Sequence, residues 1–189
     1  MKISNHVLRE TLLKRYLYII LLILSTYLRA QTVTVSGNWV ANIPPITEAG
    51  NDYTGTYDNT SSNQITISGV LPGSFLNLLS SSGAKMSMHY TTTGWNNSLI
   101  LSAKRTGGTT TINGICLLCT ATINGGTTYT TVPLATDVTF LTINFTGVLG
   151  LGNSVNFSGI NLFLQLSGVS VTVPSNTYNA RVVFTIAAN

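Results

Sequence analysis

Ionisable side chains are few: acidic and basic residues make up 7% of the chain, alongside two histidines and two cysteines. The shortage narrows the chemistry available. Paired carboxylates for glycoside hydrolysis would have to come from Glu48, Asp52, Asp58 and Asp137, three of which fall in one polar stretch where solvated turn residues are the ordinary expectation. A Ser-His-Asp arrangement in the body of the chain would have to use His89, which alternates with Met88 and Tyr90 and is expected at the surface. Zinc would need two more ligands beside Cys116 and Cys119, and only His89 remains. The stretch containing Glu48, Asn51, Asp52, Asp58 and Asn59 has no EF-hand or repeat-type calcium spacing. Glycines spaced through 147–152 lack the Lys-Ser/Thr and the following helix of a phosphate loop. The chain reads as non-enzymatic, with no cofactor and no metal.

Long hydrophobic runs are also lacking. One stretch, Tyr16 to Leu28, is continuous enough to notice, and it falls short of the roughly 20 residues that span a bilayer. Lys2, Arg9, Lys14 and Arg15 precede it and the small residue Ala30 follows. Residues 1–30 therefore read as a secretory signal peptide, with an uncleaved anchor as the less favoured alternative, and 31–189 as one domain. Removing 1–30 removes the excess charge. Lys85, Lys104, Arg105 and Arg181 are then matched by Glu48, Asp52, Asp58 and Asp137. The formal net charge of +4 belongs to the targeting segment, so nucleic acid is not an expected partner. A neutral surface of Thr, Ser, Asn and Gly suits a secreted, periplasmic or cell-surface protein.

What is abundant is alternation. Leu162, Leu164 and Leu166 share one face of an extended chain, as do Val169, Val171 and Val173, and then Tyr178, Ala180, Val182, Phe184 and Ile186. The phase slips at Ser167-Gly168 and across Pro174-Ser175-Asn176, which predicts three strand pieces. Earlier strands are expected over Thr32–Val40, with Val33, Val35, Gly37 and Trp39 on one side, over Gln64–Val70, and over Lys85–Tyr90 and Ser98–Arg105. Gly94-Trp95-Asn96-Asn97 reads as the turn of a hairpin joining the last two. Gly107-Gly108 reads as another turn, leading into a strand from Thr110 to Leu118, and Leu71-Pro72-Gly73 as a third. Thr47–Asn63 reads as a long loop with a short strand near Tyr53–Tyr57, while Phe75–Leu79 is too short to classify. Val138, Phe140, Ile143 and Phe145 lead through the Gly-rich loop to Val155 and Phe157. No window keeps a helical period. The expected fold is all-β, a single immunoglobulin-like antiparallel β-sandwich.

Cys116 and Cys119 admit two readings: half-buried side chains in a strand, or a local disulfide, which requires a turn between them. Trp39, Trp95, Tyr53, Tyr57 and Tyr129 are candidates for a sugar-stacking platform, though aromatics in a small sandwich usually fill core or edges.

The stretches Ala49–Ser68, Trp95–Thr106 and Leu164–Ile186, in the layout described, resemble uncharacterised secreted β-proteins of bacteria. More distantly they resemble subunits of chaperone-usher pili and spore-coat-U-like pilins. That resemblance implies an incomplete immunoglobulin-like fold completed by a strand from the next subunit. It casts Val33, Val35, Gly37 and Trp39 as a donor strand, and Tyr178, Ala180, Val182, Phe184 and Ile186 as an assembly edge that a periplasmic chaperone holds. The cysteines depart from the pattern, since in those subunits they bridge distant strands. The function expected is an exported structural or cell-surface protein assembling with copies of itself by strand addition. The alternative is a secreted carbohydrate-binding or adhesion module with a surface glycan as partner.

Overall fold

A computed structural model of the chain describes residues 13–19, 31–47, 50–53, 55–59, 61, 64–73, 83–116, 118–147 and 153–189. The chain divides into two compact units, 1–30 and 31–189. In the first, residues 13–19 are helical, and no helix among the described residues is long and apolar enough to cross a membrane. Glu48, the Phe75–Leu79 run and residues 148–152 of the Gly-rich loop lie outside the described residues.

The second unit is an all-β sandwich, and its described residues form ten strands: β1 (Thr32–Ser36), β2 (Tyr57–Asp58), β3 (Thr66–Pro72), β4 (Gly83–Gly94), β5 (Ile100–Asn113), β6 (Thr120–Asn124), β7 (Thr130–Thr131), β8 (Val138–Thr146), β9 (Ser154–Ser167) and β10 (Asn179–Ala188). One sheet has the order β1-β3-β9-β5-β7, with β2 also pairing β9, and the other the order β10-β4-β8-β6. All the strand pairs are antiparallel and neither sheet closes into a barrel.

Alternation sets which side chains meet between the sheets. Met86, Met88 and Tyr90 of β4, Ile143 and Phe145 of β8, Leu162 and Leu164 of β9, and Ile67 and Leu71 of β3 share one buried core. Phe140 and Leu141 are both buried although adjacent, because a register shift between β4 and β8 inserts one residue there. His89, on the other parity of β4, lies on the outer face opposite Val183, as expected from its spacing.

Three expectations are corrected, two of turns and one of a strand. β4 and β5 do not form a hairpin; they belong to different sheets, so Gly94–Leu99 crosses from one layer to the other. Trp95 anchors that crossing: its ring lies 5.5 Å from that of Tyr90, and its indole N–H donates to the Leu99 carbonyl. Gly107-Gly108 does not reverse the chain. β5 runs straight through to Asn113, and the backbone there is left-handed at Gly107 (φ 65) and Gly108 (φ 104), as it is at Gly159 (φ 66) on β9 beside them. Pairing is unchanged across this point, from Gly107–Ile160 to Thr109–Ser158. The inward parity nevertheless switches in both strands, from Leu101, Ala103 and Arg105 to Thr110 and Ile112 in β5, and from Val155 and Phe157 to Ile160 and Leu162 in β9. Finally, Val169, Val171 and Val173 form no strand: β9 ends at Ser167, and 168–178 is a loop. Gly168 fits against the Ser98 carbonyl, where a Cβ would come within 1.9 Å, and the Val171 N–H is taken by Asp52 instead of a neighbouring strand.

Candidate functional site

The sheet edges are the feature that sets this sandwich apart, because an edge presents unpaired N–H and C=O groups that natural β-proteins usually cover or guard. Two of the four edges are managed. β7 is only two residues long. β6 is sealed from the side: Arg105 donates from Nε to the Gly125 carbonyl (2.7 Å) and from Nη2 to the Ile123 carbonyl (3.1 Å), and Thr110 Oγ1 donates to the Ala121 carbonyl (2.6 Å). Arg105 also reaches the Gly107 carbonyl through Nη1 at 2.6 Å. It is buried, and burial lowers its pKa from the usual arginine value. This guanidinium was absent from the expected sites, although the alternation Leu101, Ala103, Arg105 already put it on the inward face.

The other two edges are β1 and β10. Among the described residues β10 pairs with β4 alone, Val182 opposite Tyr90, Phe184 opposite Met88 and Ile186 opposite Met86. Those three side chains pack against the core yet stay half exposed, with Phe140 and Phe184 rings 5.9 Å apart. The Asn189 N–H donates to the Gly83 carbonyl. Since hydrogen-bonded pairs alternate along an antiparallel ladder, the odd residues of β10 bond to β4, and the N–H and C=O of Val182, Phe184 and Ile186 point to the open side. Arg181 is the one ionisable side chain on the strand. Of the expected edge residues, Val182, Phe184 and Ile186 thus share the core-facing side. Ala180 sits at a bulge between Asn179 and Arg181. Tyr178 precedes the strand, its ring edge-on to Trp95 at 6.4 Å.

β1 is the outer strand of the larger sheet, antiparallel to β3. Val33 lies opposite Gly69 and packs on the core; Val35 lies opposite Ile67 but remains 43% exposed. Gly37 is not part of the strand. Its left-handed φ of 100 ends it, and a Cβ there would strike the Gln64 carbonyl. Trp39, beyond that bend, packs partly buried on the core. β1 therefore buries little: Val33 is its only residue that is not exposed.

The remaining candidate groups are engaged locally. Cys116 and Cys119 are joined by a disulfide within the loop between β5 and β6, so the strand expected to reach Leu118 stops at Asn113. His89 Nδ1 and Asp137 Oδ1 are 2.7 Å apart on the outer face of the smaller sheet. Asn59, considered above as a cation ligand, is buried: its amide donates to the Leu162 carbonyl and accepts from the Leu164 N–H, which locks the chain after β2 onto β9. Among the described residues no three His, Cys, Asp or Glu side chains are grouped to hold a metal. Of the aromatic candidates, Trp39 and Trp95 pack partly buried on the core. Lys104 Nζ lies 4.4 Å from the Tyr129 ring and 5.8 Å from that of Phe163. Partial burial, with the charge and hydrogen bond of Asp58, raises the Tyr129 pKa.

Asp52 organises the 168–178 loop. It accepts from the N–H groups of Val171 (2.9 Å) and Tyr53 (2.7 Å) and from the Ser170 hydroxyl (3.0 Å). These bonds, that of Val171 foremost and then that of Tyr53, lower its pKa below the usual carboxylate value against an opposing desolvation. A depressed carboxylate stabilises the folded loop above its unfolded pKa, and the contribution is lost as pH falls through the lowered folded value. Hydrogen exchange at the Val171 amide is expected to lose protection in acid in the parent protein. In Asp52→Ala that amide is expected to be unprotected at every pH.

The chain matches no family model, and no curated protein and no solved structure is significantly similar to it.

Proposed function

We propose that this is a non-enzymatic exported structural protein that assembles with copies of itself by β-strand addition, β10 accepting and β1 supplied by a neighbour. The observation that carries the reading is the open edge of β10: a ten-residue strand with one charge, outward-directed peptide groups and core-facing side chains left half exposed. A strand laid beside it would pair those groups and cover Val182, Phe184 and Ile186. β1 suits the donor role because it buries little in its own chain and places Val33 and Val35 on one face. Export rests on the sequence of residues 1–30, and the immunoglobulin-like pilin plan on the resemblance drawn above. The glycan-binding alternative draws less support, because Trp39, Trp95 and Tyr129 are occupied in packing.

Proline scanning separates the two sides of β10. At Val182 the N–H points to the open edge, so Val182→Pro is expected to fold and to stay monomeric by light scattering. At Val183 the N–H bonds to β4, and Val183→Pro is expected to lose about 3 kcal/mol or more of stability. Assembly that persists in Val182→Pro removes β10 from the proposal. Assembly unchanged by deletion of residues 31–38 removes β1.

A further inference from the structure

Both open edges lie on one flank of the sandwich. β5 of the larger sheet stands beside β6 of the smaller, held by the bonds from Arg105 to Gly125 and Ile123 and from Thr110 to Ala121. Counting across from that seam, with the strands of the two layers roughly aligned, β9, β3 and β1 lie over β8, β4 and β10. The side chains agree. Val33 of β1 and Val182, Phe184 and Ile186 of β10 pack on the same core, and all four stay partly exposed. The two edges also run in opposite directions. β4 and β5 are joined by the short crossing at Trp95, so they are antiparallel across the layers. β5, β9, β3 and β1 alternate in direction along the larger sheet, and β10 is opposite to β4. β1 therefore runs with β4 and against β10.

Their free peptide groups match. The Gly73 N–H donates to the Asn153 carbonyl, which fixes the alternation on β3: its odd residues bond to β9 here, and Val70 and Ser68 bond to Thr32 and Thr34. The N–H and C=O of Val33 and Val35 are left pointing to the open side, as are those of Val182, Phe184 and Ile186 on β10. Among the described residues no other backbone bond reaches these groups. On each edge, then, the residues with free peptide groups are those whose side chains lie on the core side. Antiparallel pairing bonds such residues directly opposite one another, with both side chains on one face. A parallel pairing of these edges would instead set the core side of one against the outer side of the other. Arg181 is the one charge on either strand, so no like charges oppose the contact.

We infer that two copies of the chain join edge to edge about a two-fold axis along the strands, β1 of each pairing with β10 of the other while staying on its own β3. The rotation turns one sandwich over. The larger sheet of each copy therefore continues into the smaller sheet of the other, on both layers at once, with core sides aligned. Val33 and Val35 of each copy cover Val182, Phe184 and Ile186 of the other, and the two half-open flanks become one shared core. Because one contact uses both open edges of both copies, the assembly closes at two. The inference rests on the strand addition proposed above and narrows it: addition is reciprocal, and no strand leaves its sheet.

The test staples β1 to β3 in the full chain. The Ser36 and Thr66 hydroxyls lie 2.7 Å apart, so Ser36→Cys with Thr66→Cys brings two thiols within bonding reach. Oxidised, this variant is expected to form a species of two copies by light scattering, and nothing larger as concentration rises. Amide protection at Val33, Val35, Val182, Phe184 and Ile186 is expected to rise together with concentration. Val35→Pro, whose missing N–H faces the open side, is expected to stay folded and to weaken the pair at least about tenfold. Assembly present in the reduced staple variant and absent in the oxidised one overturns the inference, because β1 must then leave β3, and leaves strand addition standing. Growth past two copies also overturns it. A parent chain that stays monomeric at every concentration overturns both readings.

Discussion

Arg105→Met is expected to lower the free energy of unfolding by about 3–4 kcal/mol, read from the urea midpoint at unchanged slope. Methionine fills similar space but donates nothing, leaving the carbonyls of Gly107, Ile123 and Gly125 without the partner that now meets all three. Arg105→Lys is expected to recover only part of the loss, because one ammonium cannot reproduce a planar fork directed at three acceptors. The substitution also unseals the edge of β6, so Arg105→Met is expected to aggregate near its midpoint where the parent refolds. A midpoint equal to that of the parent would mean that water satisfies these carbonyls and that the arginine is dispensable.

Gly69→Val is expected to release β1. A Cβ at position 69 would come 2.1 Å from the Thr32 carbonyl and 2.4 Å from the Phe157 ring, so either the edge strand or a fully buried side chain must move. Phe157 is held within the core and β1 is not, which makes the strand the element that yields. The expected cost is about 3 kcal/mol, near the upper end for overpacking. It is expected to appear as lost hydrogen-exchange protection over Thr32–Ser36 while β4, β8 and β9 stay protected. If release of β1 is the step that limits strand donation, the same variant should assemble faster than the parent. Uniform loss of protection across both sheets would instead show that β1 is integral to the core.

Much of this architecture is legible in alternation. The faces of β4, β9 and β10 follow from Met86, Met88 and Tyr90, from Leu162, Leu164 and Leu166, and from Val182, Phe184 and Ile186, because side-chain direction depends only on local extension. Partner choice does not. β4 and β5 look like the arms of a hairpin, yet Trp95 and its bond to the Leu99 carbonyl carry the chain across to the other layer. Glycine pairs report a need for left-handed backbone without saying whether the chain reverses, and at Gly107-Gly108 a neighbouring strand keeps it straight. The valines at 169, 171 and 173 alternate but have no strand beside them, so the pattern yields a loop held by Asp52. The candidate site was visible only as two alternating terminal segments. That their edges lie open depends on strand order, a property of the whole sheet.

The left-handed glycines shared by β5 and β9 have a consequence for how this chain tolerates change in length. Each strand carries one residue beyond strict alternation at the same level, and the surplus on one side is matched by the surplus on the other, so the register is the same before and after this point. Loss of Gly108 alone would leave half of β5 out of step with its partner, whereas loss of Gly108 and Gly159 together would restore plain alternation and keep Arg105, Thr110, Phe157 and Ile160 directed as they are. At this level a coordinated pair of insertions or deletions, drawn from two places far apart in the gene, preserves the facing of both strands, which a single one does not.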